Sequence, residues 1–402
     1  MLQHRLAFFI AINVFGISRD SVSFLRRIFK MVKVAIVGGT GGLAREVTDT
    51  LLATKKHEIL LLSRKEIPDT PQPPLTTWVK VDYSSIDNLA NALKDTHTLL
   101  SFITPQTDKN NIVQRYLIDA AVKAGVKRFA PSEWVGSGLQ HMDWYWGKQG
   151  IRDYLAEINR DRKVLEYSLF QPGWFTDYFA YPTQSAKYFR SFPVCISFEN
   201  CRAFYAEGSE NSRVTLTTVS DFAEIVAQAV GLEGTWPEVG GIKGSEMTVK
   251  ALLEVGERVR GQKFTIETLK RGDLEQNKVL CSWIPKVDHP AVGDYENLAE
   301  KLNASVLLSI ADEDMNVGDE WARLLPAYAF GKYGMHRMTE GCADDDSRRC
   351  RGLPEQDLEW QVREAGSGKA RIHRDDELSL HAHAHIRICS FSFHPFQSAS
   401  LK

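Results

Sequence analysis

Residues 32–44 read VKVAIVGGTGGLA, a short apolar run, then a glycine-rich turn, then the opening of a helical pattern. This order predicts a strand over 32–37 and a helix over about 42–54. Gly38, Gly41 and Ala44 stand at the GxxGxxG/A spacing. That spacing is weak alone, but between a strand and a helix it has a mechanical meaning. Gly38 lets the chain turn sharply, Gly41 lets the main chain approach a ligand, and the small Ala44 lets helix pack on strand. Gly38, Thr40, Gly41, Gly42 and Leu43 then form a cradle whose free N–H groups and positive dipole end suit a pyrophosphate. A tight turn without a ligand is the plainer alternative.

Outward from this turn, the second strand (58–62) runs into LLLSRKE. Arg64 and Lys65 stand where a site for NAD usually carries an acidic residue against the ribose 2′-hydroxyl. Cations there suit a 2′-phosphate, so NADP(H) is the expected cofactor, with a surface ion pair as the other reading. The alternation continues through a loop at 67–75, a strand at 78–81, a helix at 85–93, a strand at 98–103, a helix at 110–124 stopped by Gly125, and a strand at 128–130. Such βαβ repetition predicts an α/β fold with a doubly wound, mostly parallel sheet of the Rossmann type. Ligands lie at the carboxyl ends of such strands, which selects Asp82, Thr104, Pro105, Gln106 and Ser132.

The chain has 402 residues, 43% hydrophobic and 25% charged, with a formal net charge of -2. These values exclude wholesale disorder, a collagen-like chain and a polytopic membrane protein, and they supply no basic field for nucleic acid. The six cysteines form no CxxC pair and no zinc spacing, as in a reduced, cytoplasmic protein without a metal site. HAHAH at 381–385 is an adventitious chelator at most. Residues 1–30 hold an apolar run at 6–17, too short for the roughly 20 residues of a stable membrane anchor. They read as an optional or mispredicted extension before Met31, with a targeting segment as the alternative. Residues 335–402 lack sustained periodicity and read as a disordered tail, leaving 31–334 as the functional domain.

GGTGGLA, SRK, VDYSSIDNLANALK, RFAPSEWVG, YWGKQGIRDYL and EYSLFQPGWFTDY, in this order, resemble the isoflavone reductase-like branch of the NmrA-like family, within the atypical short-chain dehydrogenases. HPAVGDYENLAEKL and DEWARLLP resemble the carboxyl-terminal part of fungal members, so the resemblance spans about 32–326. It implies bound NADPH and a smaller substrate lobe, here from about residue 175.

Short-chain dehydrogenases use a serine after a strand and a tyrosine four residues before a lysine. Ser132 and Lys148 match, but the tyrosine position holds Trp144, whose indole N–H does not titrate. Tyr145, three before Lys148, is a displaced alternative on the same side of a helix. The isoflavone reductase-like branch lacks the tyrosine and keeps the lysine, which assigns proton delivery and a cofactor contact to Lys148; a surface lysine on an amphipathic helix is the competing reading. Lysine titrates near ~10.4, so donation, hence reduction, is the favoured direction. Trp134, Trp174, Phe175 and Tyr178 are expected to line an apolar pocket, with core packing as the alternative. His141 is either a proton shuttle or a solvated loop residue. Two functions follow: an NADPH-dependent reductase of an activated double bond or carbonyl in a small, aromatic molecule, or a non-catalytic NADP(H)-sensing regulator.

Overall fold

The apolar run forms β1 (Lys33–Val37), and the glycine turn leads into α1 (Gly42–Ala53). A computed structural model describes residues 32–67, 71–286 and 298–325; the expected extension at 1–30 and tail at 335–402, with HAHAH, lie outside these. The amino-terminal half continues with β2 (Glu58–Ser63), β3 (Thr76–Lys80), α2 (Ile86–Ala92), β4 (Thr98–Ser101), α3 (Ile112–Ala124), β5 (Arg128–Ala130), α4 (Trp146–Ile158) and β6 (Glu166–Tyr167). The sheet order is β3-β2-β1-β4-β5-β6, and every pairing is parallel. The chain winds outward from β1 in one direction and then crosses back to β4. This reversal opens a crevice between β1 and β4 at their carboxyl ends, where a doubly wound sheet takes its ligand.

All four residues of β4, TLLS, are buried, as in a central parallel strand whose two faces are both covered by helices. One helix begins later than its periodicity suggests. Asn110 and Asn111 adopt left-handed backbone (φ 59° and 58°), which asparagine tolerates, so α3 starts at Ile112. The buried Asp108 carboxylate caps it by accepting from the N–H groups of Val113 (2.8 Å) and Gln114 (2.9 Å).

The remaining described elements are β7 (Leu169–Gln171), β8 (Trp174–Phe175), β9 (Ile196–Ser197), β10 (Arg202–Ala206), β11 (Arg213–Thr217), α5 (Val219–Gly231), β12 (Val239–Gly241), β13 (Ser245–Thr248), α6 (Val249–Arg260), β14 (Thr265–Leu269), α7 (Arg271–Leu274), α8 (Leu298–Ala311) and α9 (Glu320–Leu324). The sequence suggests a single strand over 166–170, whereas the chain changes partner at Ser168, β6 pairing with β5 and β7 with β12. Three apolar cores result. One lies between the sheet and α1 with α5, around Ile36, Val47, Phe170 and Phe222. The second lies on the opposite face under α2, α3 and α4, around Leu89, Leu117, Phe129 and Leu155. The third fills the later half of the chain, around Phe179, Phe198, Phe204, Leu252 and Leu307.

Candidate functional site

At the turn after β1, Gly38 has φ 75°, and a Cβ there would lie 2.7 Å from the carbonyl oxygen of Phe102. Only glycine fits both the backbone and the close approach of the β4 exit. The first helical bond of α1 runs from Arg45 N–H to Gly41 O (3.0 Å), and the helix has neither a side-chain cap nor an acidic residue in its first turn. The N–H groups of Gly42, Leu43 and Ala44 therefore face out of a positive helix end. Thr40 is exposed beside them and Leu43 leans on the core. A Cβ on Gly41 would meet only Gly38 O, at an ordinary 3.4 Å, so the fold leaves open space where an anion would approach.

Gly42 has a different neighbour. Its Cβ would lie 2.7 Å from Tyr188 O and 3.1 Å from Phe189 Cα. Cβ bonds tilt toward a helix's N-terminus, so this strap borders the cradle itself. It is fastened there by α1: Glu46 accepts from the N–H groups of Tyr188 and Phe189, Asp49 accepts from the Tyr188 hydroxyl (2.9 Å) and Lys187, and the Arg45 guanidinium lies 3.7 Å from the Tyr188 ring centroid.

Arg64 and Lys65 leave the end of β2 exposed, and neither forms an ion pair with another described residue. The nearby ion pair is Lys80 with Glu66. Asp82 shapes the turn into α2: its carboxylate accepts from Ser84 N–H (2.9 Å) and hydroxyl (2.6 Å), which holds it below the usual carboxylate range. Thr104, Pro105 and Gln106 are half-buried in the short helical turn that follows β4, at the crevice.

Lys148 is only 5% exposed. Its ammonium donates to the carbonyl oxygens of Ser132 (2.7 Å) and Glu133 (2.5 Å), just beyond β5, and lies 4.4 Å from the Tyr145 ring centroid. Ser132 and Lys148 are thus brought together, although through the serine's carbonyl. Burial lowers the lysine to about 8, the Glu133 carboxylate opposes this, and Arg152 adds to it. The Glu133 carboxylate, 1% exposed, accepts from Arg152 Nε (3.1 Å) and Nη2 and more distantly from Gln171 Nε2 (3.4 Å). Asn111 Nδ2 donates to Gly147 O (2.8 Å) at the start of α4, and Gln114 Oε1 accepts from Ser132 N–H (3.1 Å). Sequence reasoning missed Glu133, Arg152, Asn111, Gln114 and Gln171. Only Arg152, one helical turn after Lys148, carried a signal.

The expected aromatic lining divides. Trp174 and Phe175 are consecutive on β8 and enter different cores, Trp174 against Phe179 (5.1 Å between centroids) and Phe175 against Phe189 (5.5 Å) and Phe222 (5.6 Å). Strand alternation makes this unavoidable. Trp134 stacks on Phe102 (4.6 Å), and its indole N–H donates to Ser101 O (3.0 Å). Tyr178 packs against Phe189 (5.6 Å) and Phe192 (4.8 Å), and burial pushes its phenol upward, with Tyr145 adding to the effect. His141 Nε2 lies 2.6 Å from Asp312 Oδ2, so this loop histidine is paired to the later half of the chain.

Residues 38–187 match the family described as NAD(P)H-binding. The chain is 28% identical over 240 residues to the oxidoreductase BOA1 of Botryotinia fuckeliana, covering 58% of this chain and 78% of that one. It is 25% identical over 328 residues to the oxidoreductase swnN of Metarhizium robertsii, covering 74% and 93%. Among solved structures, the NADPH-dependent quinone oxidoreductase QOR2 of Escherichia coli, complexed with NADPH, superposes with a TM-score of 0.52 at 18% identity, over 72% of this chain and 94% of that one. AtPrR2 with NADP+ and (+)pinoresinol gives 0.51 at 19% identity, over 72% and 92%. With the open cradle after β1 and the Rossmann strand order, these matches show an NAD(P)H-binding domain of Rossmann fold, in a chain similar to fungal oxidoreductases.

Proposed function

We propose that the chain is an NADPH-dependent reductase acting on an activated double bond or carbonyl of a small, aromatic molecule, with Lys148 as the proton donor. The carrying observation is the Lys148 ammonium, buried at the carboxyl end of β5 and held by two carbonyls. Dihydronicotinamide supplies the hydride when bound. The chain holds the pyrophosphate on the open end of α1, sets Arg64 and Lys65 against a 2′-phosphate, and delivers the proton from the lysine. Two of the three ammonium hydrogens are engaged by main chain, which fixes the nitrogen and leaves one donor for the reacting molecule. A lysine lowered to about 8 is a stronger acid than one in water and remains mostly protonated at neutral pH.

Titration with NADPH and NADH, followed by turnover on a panel of quinones and aryl enones, tests the reading. The expected results are tighter NADPH than NADH binding, loss of most of that preference in Arg64→Ala, and loss of turnover in Lys148→Ala with NADPH binding retained. Undiminished turnover in Lys148→Ala would remove the lysine's role.

The non-catalytic NADP(H)-sensing reading is favoured by one observation: Trp144 occupies the tyrosine position, and the lysine's carbonyl contacts alone would serve to fix the chain after β5. It would stand if NADPH bound tightly while no panel member was reduced and Lys148→Ala altered only stability.

A further inference from the structure

Lysine 148 is surrounded by more charge than its own hydrogen bonds require. Among the described residues its nitrogen contacts neutral carbonyls and the face of Tyr145, yet a buried carboxylate, Glu133, paired with the half-buried guanidinium of Arg152, stands beside it. Glu133 comes from the loop after β5, and Arg152 lies one turn along α4, on the face that carries Lys148. The guanidinium is held at both ends, by the Glu133 carboxylate and through Nη1 by Ser137 O (3.2 Å). Gln171 Nε2 faces the same carboxylate oxygen, while its own Oε1 is buried without a partner among the described residues. Burying the Glu133 carboxylate has a desolvation cost that a well-packed apolar residue would avoid, so stability alone is a poor reason for it.

We propose that Glu133 and Arg152 are positioning residues that set the charge state of Lys148, the carboxylate holding the proton on the lysine and the guanidinium balancing that carboxylate. This rests on the reading of Lys148 as proton donor. The main chain of Glu133 fixes the ammonium in space, and its side chain fixes its charge, so one residue couples the two. Among the described residues the other titratable groups facing the lysine are Tyr145 and, behind it, Tyr178; the surrounding Asn111, Gln114 and Gln171 are neutral amides. The two charges act in opposite senses. Neutralising Glu133 leaves Arg152 to repel the ammonium, and neutralising Arg152 leaves Glu133 to attract it. A pair that only packed α4 against the β5 loop would have no such signature.

The test is a pH titration of the full chain labelled with 13C at lysine Cε, with the Lys148 resonance assigned by its absence in Lys148→Arg. Glu133→Gln should move the lysine's titration down and Arg152→Gln should move it up, each by about one pH unit. Glu133→Gln/Arg152→Gln should return it toward the parent value and covers the case in which a lone buried charge prevents folding. Arg152→Lys, which keeps the charge, should titrate as the parent does. No movement in any variant, or movement of both single variants in the same direction, would overturn the proposal. The same proteins, assayed on the quinone and enone panel, separate the two readings. Opposite shifts of the high-pH limb of turnover support the proposal. Opposite resonance shifts with turnover surviving in Lys148→Ala would support the charge setting and overturn the lysine as donor.

Discussion

The Lys148 ammonium, although held on two carbonyls, is made by burial to give up its proton more easily than one in water, which bears on stability and, with Lys148 as the proposed donor, on rate. Reductive turnover should fall as the pH rises through about 8, because the donor is then lost. Stability should move the other way: between about 8 and the ordinary ~10.4 the unfolded chain binds the extra proton, so folding becomes more favourable as pH rises. Lys148→Met should therefore melt higher than the parent at pH 7 and lose turnover, and the difference in melting temperature should narrow toward pH 10. The two glycines of the turn separate in a similar way. Gly38→Ala faces both a positive φ and the Phe102 carbonyl, and should lose about 1–3 kcal/mol of stability in denaturant titration. Gly41→Ala has room in the fold, and should keep the parent melting temperature while weakening NADPH binding.

Helix α1 is shared between two tasks. Its first turn leaves N–H groups uncapped, as the proposed pyrophosphate site requires, and its next turn, through Glu46 and Asp49, holds the strap around Tyr188. Phe189 joins the two regions, with its Cα against Gly42 and its ring against Phe175 and Tyr178. Removing the Glu46 carboxylate leaves two strap N–H groups without their acceptor, at about 1–3 kcal/mol for each one that stays buried. Glu46→Ala should therefore speed amide exchange at Tyr188 and Phe189 by at least tenfold while leaving β1 and β4 protected. Unchanged exchange at those amides would show that the aromatic contacts alone hold the strap.

At the scale of the whole chain, the loop between β5 and α4 is clasped by the segment that follows α8. Ser137 Oγ donates to Asn316 O (2.7 Å), Gly138 N–H donates to Asp314 O (3.0 Å), and Asp312 receives both His141 and a bidentate Arg271 (2.7 and 2.8 Å). Arg271 first, and His141 after it, hold the Asp312 carboxyl well below its usual range. A depressed carboxyl stabilises the fold above its unfolded value near ~3.9, and that contribution is lost as the pH falls below it. Asp312→Asn should thus melt below the parent at pH 7, and the gap should begin to narrow only once the pH falls below ~3.9. A gap independent of pH would mean that the clasp is held by its main-chain bonds.

What the sequence determined by itself is the part governed by local rules. The strand, glycine turn and helix at 32–54 are dictated by apolar period, by the freedom of Gly38 and by the absence of a cap, all of which act within a few residues. The alternation that follows leaves a parallel, doubly wound sheet as the economical solution, and Arg64 and Thr104 could be placed by their distance from strand ends, whereas Lys148 is singled out only by the resemblance of its motif. What only the tertiary structure decided is the company that polar groups keep across the chain. Glu133 and Gln171 meet at a separation of 38 residues, and Glu46 and Tyr188 at 142. No periodicity records such pairs, because a carboxylate reads as surface until folding shows what buries it. The same holds for Trp174 and Phe175, equally aromatic in sequence. Pairing of β8 with β11 sends them into different cores, since neighbouring side chains on a strand point to opposite faces.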